Sequence, residues 1–209
     1  MSPLIDAHRG ECGAPGLTAA ERYSRASSIG VDYVEIDVRR TSDGIYINYH
    51  DERTASGHEV SALPLSALKQ ELGVQLMTVD EVIELVDGKV GLHVDLKDGG
   101  QELDVVRYVE ARCAHSEAVF TTGGDVAVRA IKDQMPHARA GLTLGDDLEG
   151  APPWRAVRVR LSELFPGPRL RRSRADFTAV HKRLAEVRVL DYCARNHMAA
   201  WVTVFSAET

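Results

Sequence analysis

Apolar residues follow two rhythms along the chain. Short runs rich in Val, Ile and Leu fall at 3–9, 31–39, 44–50, 90–97, 118–122, 138–144, 174–180 and 199–205. Runs of this length, bounded by turn residues, read as buried strands. Between several of them the apolar spacing becomes helical. Thr18 and Glu21 form a capping-box pair, with Gly30 as the stop. Thr78 and Glu81 repeat that signature, followed by Val79, Val82, Ile83 and Val86 at helical spacing and then Gly88. Asp125 is placed to cap a helix from Val126 to Met135, and 181–196 reads as a last long helix. Strands alternating with helices imply an α/β fold with a mostly parallel sheet. About eight strands point to a TIM-like (β/α)8 barrel, whose usual size is about 250 residues. With 209 residues, either the loops are lean or the C-terminal closure is incomplete. A doubly wound open sheet is the rival architecture. One stretch, 145–174, breaks the rhythm. It is rich in arginine around Phe165-Pro166-Gly167-Pro168 and reads as a long connection.

Composition narrows the class. The apolar fraction of 44% and charged fraction of 27% are those of an ordinary globular chain. The length suits a single domain over 1–209. A net charge of −6 argues against a general nucleic-acid binder. Cys12, Cys113 and Cys193 have no Cys-x-x-Cys spacing, so neither a disulfide framework nor a zinc site is expected. The first residues show neither a basic nor an apolar leader region, and no run is long enough to span a bilayer. The cytoplasm is the expected compartment.

The polar residues inside the apolar runs carry the chemistry. Glu35 and Asp37 stand two apart in Tyr-Val-Glu-Ile-Asp-Val, so a strand points both carboxylates to one face. Two like charges in a buried place need compensation, and a divalent cation such as Mg²⁺ or Ca²⁺ supplies it through carboxylate oxygens. Asp95 and Lys97 repeat the spacing, and His8 and His50 close two other runs. All these groups fall at the C-terminal ends of strands, where barrel active sites lie, and this favours the barrel over the open sheet.

Ala7-His8-Arg9-Gly10, Glu35-Ile36-Asp37-Val38, Thr41-Ser42-Asp43-Gly44 and His50-Asp51, in that order and spacing, resemble the glycerophosphodiester phosphodiesterase family. Weaker agreement continues through 76–82 and 94–97; beyond residue 100 only the rhythm agrees. The resemblance implies a metal-dependent phosphodiesterase acting on a small-molecule phosphodiester. It implies Glu35, Asp37 and Asp95 as ligands of Mg²⁺ or Ca²⁺. It implies His8 and His50 as general acid and base, and Arg9 and Lys97 as holders of the phosphate oxygens. Asp95 stands where the family usually has Glu, as in the related sphingomyelinase D enzymes.

The chain departs from the family pattern at Pro15-Gly16-Leu17-Thr18, near Thr122 and Gly123, and at Val202-Thr203-Val204-Phe205, where Trp201 is shifted by one residue. The family's closing helix has no counterpart before Thr209. The phosphate-handling half is therefore expected intact and the alcohol-gripping half rewritten. That keeps three alternatives in play: a sphingomyelinase D-like or lysophospholipase D-like enzyme, a lyase making a cyclic phosphate, and a barrel that only binds a phosphorylated ligand. A homo-oligomer completing the missing segment is a further arrangement to consider. Asp51 is expected to orient a histidine, and His93 to pack. The arginine cluster reads as a solvated loop, with an anion-steering lip as its functional alternative.

Overall fold

The computed structural model describes residues 4–145 and 152–203. The chain forms two compact units that divide after Phe120.

In the first unit, strand β1 (Asp6–Ala7) leads through one turn of 3₁₀ helix, His8–Gly10, to helix α1 (Ala19–Ser28). Strands β2 (Tyr33–Arg40) and β3 (Tyr46–Asn48) form a hairpin around Thr41–Ile45. Helix α2 (Leu65–Leu72), strand β4 (Met77–Thr78), helix α3 (Val79–Val86), strand β5 (Gly91–Leu96) and helix α4 (Glu102–Glu110) follow. Strand β6 (Ala118–Thr122) runs across the division. β2 is the organising strand. It pairs in parallel with β1 on one side and β5 on the other, and antiparallel with β3 at its C-terminal end. The antiparallel β3 and β4 depart from the parallel sheet that strand–helix alternation predicts. The reason lies in Thr41-Ser42-Asp43-Gly44. The Thr41 hydroxyl bonds Asp43 and Ile45, and Gly44 takes φ 86°, so the chain reverses with no room for a crossover helix.

Both capping boxes form as their sequences predict, at Thr18/Glu21 and Thr78/Glu81. They set the start of the two helices that back the sheet, with Tyr23 and Ala26 of α1 and Val79, Val82 and Val86 of α3 buried. Val34, Ile36, Leu92 and Val94 of β2 and β5 have no exposed surface. Ile47, Val60, Leu68 and Leu76 make a satellite core beneath α2. Gly91 is required at the start of β5, since a Cβ there would lie 2.4 Å from the Tyr33 ring. That ring is held by a 2.5 Å hydrogen bond from the Tyr33 hydroxyl to Glu117.

The second unit contains α5 (Asp125–Gln134), β7 (Arg139–Leu144), α6 (Pro153–Leu164), α7 (Gly167–Ser173) and β8 (Phe177–His181). A helical stretch follows, with α8 (Lys182–Leu184), a π-helical turn at Ala185–Val189 and α9 (Leu190–Arg195), and then β9 (Ala199–Thr203). β7, β8 and β9 pair in parallel. Ile131, Leu142, Leu170, Phe177 and Val189 fill the core. Asp125 is the first residue of α5 rather than its cap; Gly124 occupies that place.

The arginine-rich stretch read as a long connection is two helices. Pro152–Pro153 opens α6 and Pro166 opens α7, each proline where a helix start tolerates it. Arginine is itself a good helix former. Several of these arginines are tied down: Arg172 pairs with Asp125, Arg174 with Asp133 at 2.9 Å, and Arg160 with the fully buried Glu163 at 2.7 Å. Residues 146–151, and the ends of the terminal strands predicted at 3–9 and 199–205, lie outside the described residues.

Candidate functional site

The site is built on β2 and its two parallel neighbours, all within the first unit. Register sets Asp37 opposite Asp95 and Glu35 opposite His93. Alternation along each strand then brings Glu35, Asp37 and Asp95 together, with one oxygen of each within 4.8 Å of the others. Glu35 and Asp37 are buried, at 4% and 1% exposure.

Strand β1 ends at Ala7, and the chain turns sharply there. Arg9 takes a left-handed conformation, φ 51°, followed by Gly10 at φ 68°. A side chain on Gly10 would lie 3.0 Å from the Tyr23 ring, so the motif's glycine serves both the turn and the close approach. The turn aims the Arg9 N–H at Glu35 Oε2 (2.9 Å) and its guanidinium Nε at Asp37 Oδ2 (2.9 Å). Lys97 closes the opposite side, with Nζ 2.9 Å from Asp37 Oδ1 and 2.5 Å from Asp95 Oδ2.

The ionisation states follow from this crowding. Burial, then the charges of Asp37 and Asp95, push the Glu35 carboxyl well above the usual range. Burial acts in the same direction on Asp37, but Lys97 and then Arg9 outweigh it and hold that carboxyl low. Lys97 is desolvated, yet Asp95 and Asp37 raise its pKa and keep it charged. Three carboxylates against two cations leave a net negative centre when all are ionised. Asp37 Oδ1 meets the Lys97 ammonium at 2.9 Å, so Asp37 is paired on both oxygens while the centre as a whole stays negative. A set of hard oxygens with surplus negative charge fits a divalent cation such as Mg²⁺ or Ca²⁺.

The two histidines differ. His8 is partly buried, and desolvation followed by the Arg9 charge lowers its pKa below the ordinary 6.5. His50 lies just past β3, half-exposed, with Nδ1 2.7 Å from Asp51 Oδ1. Asp51 thus takes the orienting place expected of it. His93 does more than pack: level with Glu35 and one alternate position before Asp95, its Nδ1 lies 2.6 Å from Asp6 Oδ2.

Sequence reasoning missed the scaffold behind these groups. The buried Tyr23 hydroxyl donates to the Glu35 carbonyl at 3.1 Å and accepts from Asn48 Nδ2 at 2.7 Å. Asn48 Oδ1 in turn accepts the Asp37 N–H at 3.0 Å. Two side chains therefore fix the backbone of both β2 carboxylates. The available signal was Asn48 itself, a polar residue ending an apolar run two positions before His50. Arg39 and Asp98 were missed as well. Arg39 Nη1 donates to Asp98 Oδ1 at 2.6 Å, and the Arg40 N–H to Asp98 Oδ2 at 2.8 Å.

Residues 8–125, more than half of the chain, match the glycerophosphoryl diester phosphodiesterase family. The chain belongs to that family. It is a phosphoric diester hydrolase of the glycerophosphodiester phosphodiesterase type. A glycerophosphodiester phosphodiesterase of Caldanaerobacter subterraneus subsp. tengcongensis is 27% identical over 187 residues, which are 79% of this chain and 76% of that one. The crystal structure of a glycerophosphodiester phosphodiesterase from Parabacteroides distasonis superposes with a TM-score of 0.74 at 17% identity, covering 97% of this chain and 84% of the other. An Oleispira antarctica phosphodiesterase, solved in complex with the product sn-glycerol-3-phosphate, superposes at 0.72 with 21% identity, covering 98% and 85%. At these identities the likeness shows the fold, which is the TIM barrel of this family, as the sequence rhythm predicts. No helix among the described residues is long and apolar enough to cross a membrane.

Proposed function

We propose that this phosphodiesterase uses a divalent cation, Mg²⁺ or Ca²⁺, held by Glu35, Asp37 and Asp95, to cleave a glycerophosphodiester into a phosphomonoester and an alcohol. The convergence of the three carboxylate oxygens within 4.8 Å, flanked by Arg9 and Lys97, carries this reading. When bound, the cation would supply Lewis-acid stabilisation of the phosphate charge.

The chain's own residues divide the remaining work. A phosphodiester repels an oxygen nucleophile until its charge is offset. Arg9 and Lys97 provide that offset, held in place by the same carboxylates. Two unit cations and one divalent ion against three carboxylates leave one positive charge, which a phosphodiester monoanion neutralises. Cleavage also needs one proton removed from the nucleophile and one delivered to the departing alkoxide. His8, with its pKa lowered by burial and Arg9, is largely neutral near pH 7 and suits the accepting role. His50, its Nδ1 engaged by Asp51, presents Nε2 for delivery. The product sn-glycerol-3-phosphate held by the Oleispira relative supports glycerol phosphate as the retained half.

Hydrolysis of glycerophosphocholine and glycerophosphoethanolamine, with either cation or with chelator, tests the reading. Cation-dependent release of glycerol phosphate that disappears in Glu35→Gln is expected. Full turnover in chelator, or in the variant, would remove the metal centre from the reaction.

A further inference from the structure

The carboxylate row of β2 has a third member on the same face. Glu35, Asp37 and Arg39 stand at alternate positions, so Arg39 continues the row toward the strand's C-terminal end. A guanidinium there invites assignment to the substrate phosphate, but its hydrogen bonds point elsewhere. Nε and Nη2 both donate to the His50 carbonyl oxygen, at 3.0 and 2.9 Å. Nη1 is 2.6 Å from Asp98 Oδ1. Asp98 is anchored by the Arg40 N–H, and the Arg39 side chain is only 13% exposed.

We propose that Arg39, braced by Asp98, is a positioning residue that fixes the backbone of His50 and thereby the imidazole that delivers a proton. The inference rests on the proton-transfer role proposed above for His50.

The physical need is visible in the local structure. The last ladder pairing of β3 is Asn48, and the Tyr49 N–H still bonds the Asp37 carbonyl at 2.8 Å. His50 follows outside any strand, with its ring half-exposed. The planar fork of Arg39 places two donors on one carbonyl oxygen and a third on a carboxylate, a geometry that lysine cannot reproduce. It joins three chain segments: the end of β2, the β5–α4 connection and the His50 turn. Asp51 sets the ring through Nδ1, and Arg39 sets the backbone from which the ring extends.

The test is steady-state kinetics of Arg39→Met, Arg39→Lys and Asp98→Asn on glycerophosphocholine, beside His50→Ala. Calorimetric Ca²⁺ titration and circular dichroism accompany each variant. A displacement of about 1 Å in a catalytic group costs on the order of 10²-fold. Arg39→Met is therefore expected to lower kcat by about 10- to 100-fold with KM within about 2-fold, and Ca²⁺ affinity unchanged. Arg39→Lys is expected to fall between Arg39→Met and the parent and, retaining the cation, controls for misfolding. A rise in KM with kcat kept would overturn the proposal and give Arg39 to the substrate phosphate. A fall in Ca²⁺ affinity would overturn it in favour of support for the metal ligands. If His50→Ala abolishes turnover while Arg39→Met is unaffected, the positioning role alone fails. If His50→Ala keeps full turnover, the role of His50 and this inference fall together.

Discussion

Glu35→Gln keeps the shape of the side chain while removing one of three crowded charges. The three carboxylates offer oxygens within 4.8 Å of one another. At that separation and an effective dielectric constant of about 20, each like-charged pair repels by roughly 3 kcal/mol. Arg9 and Lys97 offset part of this, and the raised pKa of Glu35 records what remains. The folded protein therefore holds the Glu35 proton to a higher pH than the unfolded chain does. In the absence of cation, this makes stability fall as pH rises from the ordinary carboxylate value through the raised one. A cation bound at about 100 times its Kd adds about 2.7 kcal/mol of stability, which for a chain of this size corresponds to a Tm rise of about 5–10 °C. Differential scanning calorimetry in chelator and in excess Ca²⁺, across pH 4 to 8, measures both effects. In chelator, the stability of the parent relative to Glu35→Gln is expected to fall as pH rises, since the other titrating groups are common to both. The parent is expected to show the full Tm rise in Ca²⁺, and the variant to lose most of it. An undiminished Ca²⁺-induced shift in the variant would refute Glu35 as a ligand.

Other groups give independent checks. Tyr23→Phe strips the Glu35 carbonyl and Asn48 of a buried partner, so stability should drop by about 1–3 kcal/mol; an unchanged denaturation midpoint would show that the network does not hold β2. Gly91→Ala drives a Cβ into the Tyr33 ring and should cost about 1–3 kcal/mol unless that ring can shift, measured by urea unfolding. The His8 ring proton resonance should titrate below pH 6.5, because burial and Arg9 disfavour the cation; the stability tied to its neutral form is lost as pH falls through that lowered value. Burial, then the Asp87 charge, push the Cys113 thiol up to about 12, so thiol reagents at neutral pH should modify the partly exposed Cys12 first.

The residues that handle charge were legible in the sequence because a carboxylate or lysine inside an apolar strand has no cheap alternative explanation. Glu35, Asp37, Asp95 and Lys97 belong to that group; the alternation of a strand puts Glu35 beside Asp37 and Asp95 beside Lys97, whereas the meeting of the two pairs rests on the β2–β5 register that only the fold supplies. The two capping boxes were legible for a similar reason, since their hydrogen bonds close within four residues. What stayed hidden depends on contacts distant in sequence. Tyr23 reads as an apolar position of a helix; only the fold shows its hydroxyl between Glu35 and Asn48. Arg39 reads as one more surface charge until Asp98, 59 residues on, is brought beside it. The Arg-rich segment misled because prolines and charges look like punctuation, whereas here the prolines open helices and several of the charges find acids, Glu163 one turn on from Arg160, and Asp125 and Asp133 on α5 for Arg172 and Arg174. β4, with two residues, carries too little pattern to be seen.

The most direct measurement is the rate of glycerol phosphate release from glycerophosphocholine in a titration of Ca²⁺ or Mg²⁺ into chelator-treated protein, with Glu35→Gln and Asp37→Asn alongside. Turnover that rises and saturates with cation in the parent, and is absent in both variants, is the expected result. Turnover independent of cation, or retained in either variant, would contradict a phosphodiesterase built on the carboxylates of β2.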